Sequence, residues 1–161
     1  MSVNKERPHV FVLPEDDANR ELANGFFLDY SLLNRRRSYR VLPEVGGWRD
    51  VLEHFKSEHV TEMDRNRNRF MVLLIDFDRK ADRLDIAKAA VPAHLSERVF
   101  ILGTLSEPED LKATLGSYET IGLKLAKDCR EETDSTWGHD LLRHNASELG
   151  RLLQYVRPIL F

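Results

Sequence analysis

Arg69-Phe70-Met71-Val72-Leu73-Leu74-Ile75-Asp76-Phe77-Asp78-Arg79 is the stretch on which the reading of this chain turns. Six consecutive apolar residues, Phe70 to Ile75, have the length and branching of a strand buried on both faces. The run ends abruptly in Asp76-x-Asp78. On an extended chain the side chains of residues 76 and 78 leave on one side and Phe77 on the other. Two carboxylates at the end of a buried strand repel one another and cost stability unless a cation or a donor compensates. In open α/β sheets that strand end is where ligands bind. The pattern therefore points to a divalent-cation site. The plainer alternative is that Asp76 caps the following helix and Asp78 is solvated.

Outward from this strand, the chain alternates strand and helix. His9-Val10-Phe11-Val12-Leu13 reads as a first buried strand, ended by Pro14. Glu15-Asp16-Asp17 opens a helix to about Leu28 or Tyr30, its acids suited to the first turn. Leu22, Phe26 and Leu33 form its stripe, and Gly25 implies close backbone packing. Ser38 to Leu42 is a weaker strand before Gly46-Gly47. Trp48 to His59 reads as a helix through Val51, Leu52 and Phe55, and 64–69 as a polar loop. Leu84 to Ala90 is a short helix, Arg98 to Gly103 a buried strand, and Glu107 or Pro108 begins a helix to Leu115. Tyr118 to Cys129 and Gly138 to Val156 complete the helices, with residues 1–7 a loose tail. This pattern predicts an α/β three-layer sandwich around a mainly parallel four-stranded sheet, with an extra C-terminal helical layer. The whole of 1–161 reads as a single domain, 9–115 its α/β core and 116–161 the C-terminal helices.

Composition narrows the classes. A hydrophobic share of 42% beside 32% charged residues suits a globular domain, and no apolar run has the length of a membrane span. The lone cysteine, Cys129, precludes an internal disulfide and fits a reducing, cytoplasmic setting. Six scattered histidines show no zinc-ligand spacing. The net charge of −3 is not that of a dedicated nucleic-acid binder, but charge is uneven. Arg35, Arg36 and Arg37, and Arg65 and Arg67, form basic runs, while Glu15–Asp17 and Glu107–Asp110 are acidic. There is no phosphate-binding Walker loop, no glycine-rich dinucleotide turn and no Gly-x-Ser-x-Gly elbow.

If the strands are parallel, Glu15 to Asp17, Asp76 with Asp78, and Ser106 to Asp110 share one edge of the sheet. Hard oxygen ligands so gathered suit Mg²⁺ or Mn²⁺, and the chemistry built on such sites is phosphoryl transfer or phosphodiester hydrolysis. Glu15, Asp76 and Asp78 are the candidate ligands and catalytic groups, with Asp17 or Glu109 completing a second metal position. Arg35, Arg36, Arg37, Arg65 and Arg67 are the candidate phosphate contacts for a nucleic-acid partner.

Glu15 at the end of strand one, followed by Asp76-x-Asp78 at the end of a later hydrophobic strand, resembles the Toprim fold of topoisomerases, primases and overcoming-lysogenization-defect nucleases. The likeness spans roughly residues 9–115. It implies a Mg²⁺- or Mn²⁺-dependent nuclease in which Glu15 is ligand or general acid/base and Asp76 and Asp78 bind metal. Glu107 or Glu109, with Glu119 and Lys127, are possible counterparts of the nuclease branch's later acids and lysine. Asp16 departs from the pattern, which has glycine after the glutamate.

Val12 to Leu22 also resembles the opening of response-regulator receiver domains. That likeness implies a Mg²⁺-binding acidic pair, Asp76 as phospho-acceptor, Thr104 as switch hydroxyl and Lys124 or Lys127 as the lysine paired with the phosphoryl group. The spacing to Asp76 is longer than such domains have, and Asp78 has no role there. A third reading is a non-catalytic interaction subunit, with Leu141, Leu142, Leu149, Leu152 and Leu153 facing a partner or covering the sheet. The apolar end Val156 to Phe161 either tucks into the core or docks on another chain, including a second copy. Trp48 reads as a packing residue or a base-stacking platform. His144-Asn145 would reach the acidic edge if the last helix folds back.

Overall fold

The computed structural model describes residues 2–161. Four strands form, β1 (His9–Pro14), β2 (Tyr39–Val41), β3 (Arg69–Leu74) and β4 (Val99–Leu102). They make one sheet in the order β2-β1-β3-β4, and every pair is parallel rather than most of them. Val12 stands opposite Val41 on one side and Val72 on the other, and Val72 opposite Phe100. Alternation divides the apolar run between two faces. Phe11, Leu13, Met71, Leu73, Ile75 and Ile101 join one core, and Val10, Val12, Val72, Phe100 and Leu102 the other. A strand covered on both sides needs an unbroken apolar sequence, which is what the central stretch supplies.

Among the described residues there are seven helices: α1 (Asp17–Phe26), α2 (Trp48–His54), α3 (Val60–Arg65), α4 (Arg83–Ala89), α5 (Glu109–Leu115), α6 (Tyr118–Glu131) and α7 (Ala146–Leu160). Val51, Leu52, Phe55, Met63 and Ala87 bring α2 to α4 onto the first face, whereas α1 and α7 lie on the second. The sandwich is thus three layers. Helix α6 packs along α1 so closely that a Cβ on Gly122 would lie 2.3 Å from the Leu22 carbonyl oxygen, and one on Gly25 2.6 Å from that of Glu119. Helix α7 rests on β1 and β4, so the C-terminal helices close the core of residues 9–115 rather than being appended to it.

Several boundaries differ from expectation for identifiable reasons. Helix α1 begins at Asp17 because Asp16 is its N-cap, accepting the Asn19 backbone N–H at 2.9 Å. It stops at Phe26, and Tyr30–Ser38 is a run of 3₁₀ turns. Helix α2 continues through one π turn, Phe55–His59, into α3, since no Gly or Pro interrupts residues 48–65. The last helix starts at Ala146, not Gly138. The buried Asp128 carboxylate takes the Thr133 hydroxyl and the Thr136 and Trp137 N–H groups at 2.7–3.0 Å, winding the segment after α6 into turns. The tail is pinned rather than loose: the Asn4 N–H donates to the Arg37 carbonyl, and the Asn66 and Asn68 side chains donate to that of Lys5. The apolar C-terminus tucks into its own core, with Leu160 buried and Phe161 edge-on to Phe26, so its burial is accounted for within the chain. Among the described residues no helix is long and apolar enough to cross a membrane.

Candidate metal centre

From β1 the chain steps outward to β2, crosses back to β3, and then continues the other way to β4. The order therefore reverses between β1 and β3, and a doubly wound sheet opens a crevice at the carboxyl ends of the two strands that flank such a reversal. Glu15 leaves β1 and Asp76 leaves β3 at that point. The ladder carries on beyond the strands, Glu15 N–H donating to Leu74 C=O at 2.9 Å and Ile75 N–H to Leu102 C=O at 3.0 Å. Glu15 then turns its carboxylate across the crevice, where Oε2 accepts the Asp76 backbone N–H at 2.6 Å.

The electrostatics follow from that placement. Burial raises the Glu15 carboxyl above its usual range, against the Asp76 and Trp48 backbone N–H groups, which stabilise the anion. Asp76 is pushed up to about 7, first by burial and then by the carboxylates of Glu15, Asp16 and Glu109, even though Asn19 donates to it. The Asn19 side chain is the hinge of the arrangement. Its Nδ2 donates to Asp16 Oδ1 at 2.9 Å and to Asp76 Oδ1 at 2.8 Å, joining the end of β1 to the end of β3.

Asp78 departs from the extended alternation. Its φ of 48° and that of Arg79, 54°, are left-handed, so the chain turns away after Phe77 and Asp78 is exposed. Its carboxylate acts with Glu109, Asp110 and Asp16 on Glu107, whose own carboxyl these charges raise, Glu109 most. Asp78 is thus placed with the Glu107–Asp110 loop at the rim, while Asp76 lies inside the crevice. Phe77 is buried between them, with the His144 ring edge-on at 5.0 Å. His144-Asn145 does reach this edge: Asn145 accepts the Gly103 N–H and donates to the Gly103 and Leu142 carbonyls.

The remaining candidates separate by location. Asp17 is exposed and paired with Arg20 at 3.1 Å, and Arg20 in turn holds Glu44 at 3.0 Å. Glu109 opens α5 at the carboxyl end of β4, near enough to raise Asp76. Glu119 is exposed on α6 with its backbone against Gly25, nine residues along α1 from Asp16, or about 13 Å of helix axis away. Lys124 Nζ donates to the Leu115 carbonyl at 3.2 Å, and Lys127 is exposed one turn further on, so neither is paired with Asp76. Arg35, Arg36 and Arg37 immediately precede β2, and Arg65 and Arg67 precede β3. In a parallel sheet that is the amino edge, a strand length of about 20 Å from the acids. These arginines do not reach a phosphate at Asp76.

The cation that does stand at the crevice is Arg83. It donates from Nη1 to the Asp76 carbonyl at 2.8 Å and lies over the Trp48 ring, 4.3 Å from its centroid. Sequence reading passed over Arg83, Asn19 and the capping role of Asp16. Only Asp16-x-x-Asn19, a cap-box spacing, carried a local signal; Arg83 meets the site through tertiary folding alone.

Among the described residues no set of three or more His, Cys, Asp or Glu side chains is already arranged to hold a metal ion. The oxygen donors at the crevice nonetheless fit Mg²⁺ or Mn²⁺, which bind through one or two carboxylates and keep several waters. Comparison of the chain with protein-family models, with curated proteins and with solved structures finds no match to any of them.

Proposed function

We propose that the β1/β3 crevice is a Mg²⁺- or Mn²⁺-dependent site for cleavage of nucleic-acid phosphodiesters. The supporting observation is the Asp76 carboxyl, raised to about 7 among three other carboxylates at the ligand-binding edge of a doubly wound sheet. Asp76 and Asp16 would hold the cation, Glu15 fixing the Asp76 backbone from below. When bound, the metal supplies charge to a phosphoryl oxygen and lowers the pKa of a bound water. Arg83, held over the Trp48 ring, is the donor for the substrate phosphate. Glu15, whose carboxyl burial raises above its usual range, is the group suited to take up and release a proton. Asp78 and the Glu107–Asp110 loop form an acidic rim, available to a second cation.

A labelled single-stranded oligonucleotide and a supercoiled plasmid, each incubated with Mn²⁺ or with a chelator, test this. We expect metal-dependent cleavage that Asp76→Asn lowers by roughly 100-fold or more. Arg83→Gln should raise KM more than it lowers kcat, by about 10-fold, as loss of a phosphate contact does. Absence of any metal-dependent product sinks the reading.

A receiver-like phospho-acceptor is the second reading, favoured by the strand order, which is the first four strands of the 2-1-3-4-5 winding that receivers use. Thr104, buried just past the end of β4, would be the switch hydroxyl in that reading. Against it stands Lys124, committed to Leu115. Stable labelling of Asp76 by a small phosphodonor, retained in Asp78→Asn, would transfer the assignment to this reading.

A further inference from the structure

Behind Asn19, on the side away from the acids, the sheet and its second helical layer enclose an apolar cavity of about 100 Å³. Val12 and Leu102 form its floor, and Ala23 of α1, Cys129 of α6 and Leu152 of α7 its walls. Half-buried residues in the lining, Trp137 and Phe161 among them, mark where it opens to solvent. At about 100 Å³ it is smaller than the roughly 150 Å³ that holds benzene, and takes a short-chain body of about five heavy atoms.

Its polar side chains are few. Asn145 is used up on Gly103 and Leu142. Asn19, fully buried, lines the same space, yet its Oδ1 has no hydrogen-bond partner. The amide cannot turn over to relieve this. Its Nδ2 serves the two carboxylates of Asp16 and Asp76, and a flipped amide would set Oδ1 against both. A buried acceptor left unmade is costly.

We propose that this cavity is a binding site for a small apolar molecule bearing one hydrogen-bond donor, its body among Val12, Leu102 and Leu152 and its donor on Asn19 Oδ1. The ligand class is a short-chain alcohol or amine. Because Asn19 also holds Asp76, the ligand shares an amide with the acidic crevice without entering it. The site stands independently of the metal chemistry proposed above.

Isobutanol and isopropyl methyl ether, isomers of equal size with and without a donor, are the probes. In Trp48→Phe protein the indole of Trp137 is the sole tryptophan reporter, and it lines the cavity. We expect a saturable change in its emission with isobutanol, at least about tenfold weaker with the ether, because the ether leaves Oδ1 unpaired. The Asn19 side-chain NH₂ resonances should shift with the alcohol. Cys129→Leu, which fills the cavity, should abolish the response, and Ala23→Val serves the same end should Cys129→Leu fail to fold. No saturable response, equal affinity for the two probes, or binding that survives cavity filling overturns the proposal.

Discussion

Asp76→Asn should make the protein more stable at pH 8, by about 2 kcal/mol, and leave it nearly unchanged at pH 4. Asp76 is raised in the folded state to about 7 from an ordinary 3.8, so folding holds a proton that the unfolded chain releases. Below pH 4 both states carry it and the group is silent. As the pH rises from 4 to 7 only the unfolded state ionises, and stability falls; above 7 both are ionised and the loss is complete. Three pH units correspond to a ceiling of about 4 kcal/mol, which partial exposure to solvent roughly halves. Asparagine keeps an oxygen for the Asn19 donor and removes the charge from beside Glu15 and Asp16. For a chain of this size the gap amounts to roughly 4–8 °C in Tm.

The same variant separates a cation site from a merely strained one. Mg²⁺ binds the ionised form, so it should raise the wild-type Tm at pH 8, with about 2.7 kcal/mol gained at a hundredfold excess over Kd. Asp76→Asn, already relieved, should show little response. Thermal melts over pH 4–8, with and without Mg²⁺, measure both. Parallel pH profiles for the two proteins would mean that the Asp76 carboxyl is not perturbed. An unaltered Mg²⁺ response in the variant would take the cation away from Asp76.

Which parts of this architecture a sequence can carry follows from how locally each is encoded. The central strands were legible because burial on both faces demands a continuous apolar run, which Phe70 to Ile75 supplies. Parallel pairing followed from alternation with helices, and with it the gathering of Glu15, Asp76 and Glu109 at one edge. Asp78 was misplaced because alternation holds only while the backbone stays extended, and the left-handed turn at Asp78 and Arg79 has no glycine to announce it. The arginine runs are conspicuous in sequence, but parallel strands send whatever precedes them to the edge opposite the acids. Residues 138–145 read as helix because nothing local reveals that the Asp128 carboxylate binds the backbone eight and nine residues on. Arg83 and Trp48 become neighbours only when α4 and α2 pack on the same face.

Gly103→Ala should prevent the protein from folding, or cost about 4 kcal/mol or more. The β4 backbone at Gly103 runs so close to β3 that a Cβ would lie 1.6 Å from the Ile75 carbonyl oxygen, inside any tolerable contact. Neither strand can yield. Ile75 N–H is bonded to Leu102 C=O and Phe77 N–H to Thr104 C=O, while Asn145 clamps Gly103 from the other side through both its N–H and its C=O. The glycine is thus what lets β3 and β4 stay together as far as Phe77, and that extension carries Asp76 out to the crevice. Gly150 is the internal control, mid-helix in α7, where an added Cβ would have nothing within 4 Å. Gly150→Ala should therefore stabilise by about 0.5–1 kcal/mol through helix propensity and a less flexible unfolded chain. Urea unfolding of the two variants gives the comparison. A soluble, cooperatively folded Gly103→Ala protein with a wild-type midpoint would show that the strand ends are loose and that Asp76 is not held where the electrostatics of the crevice require it.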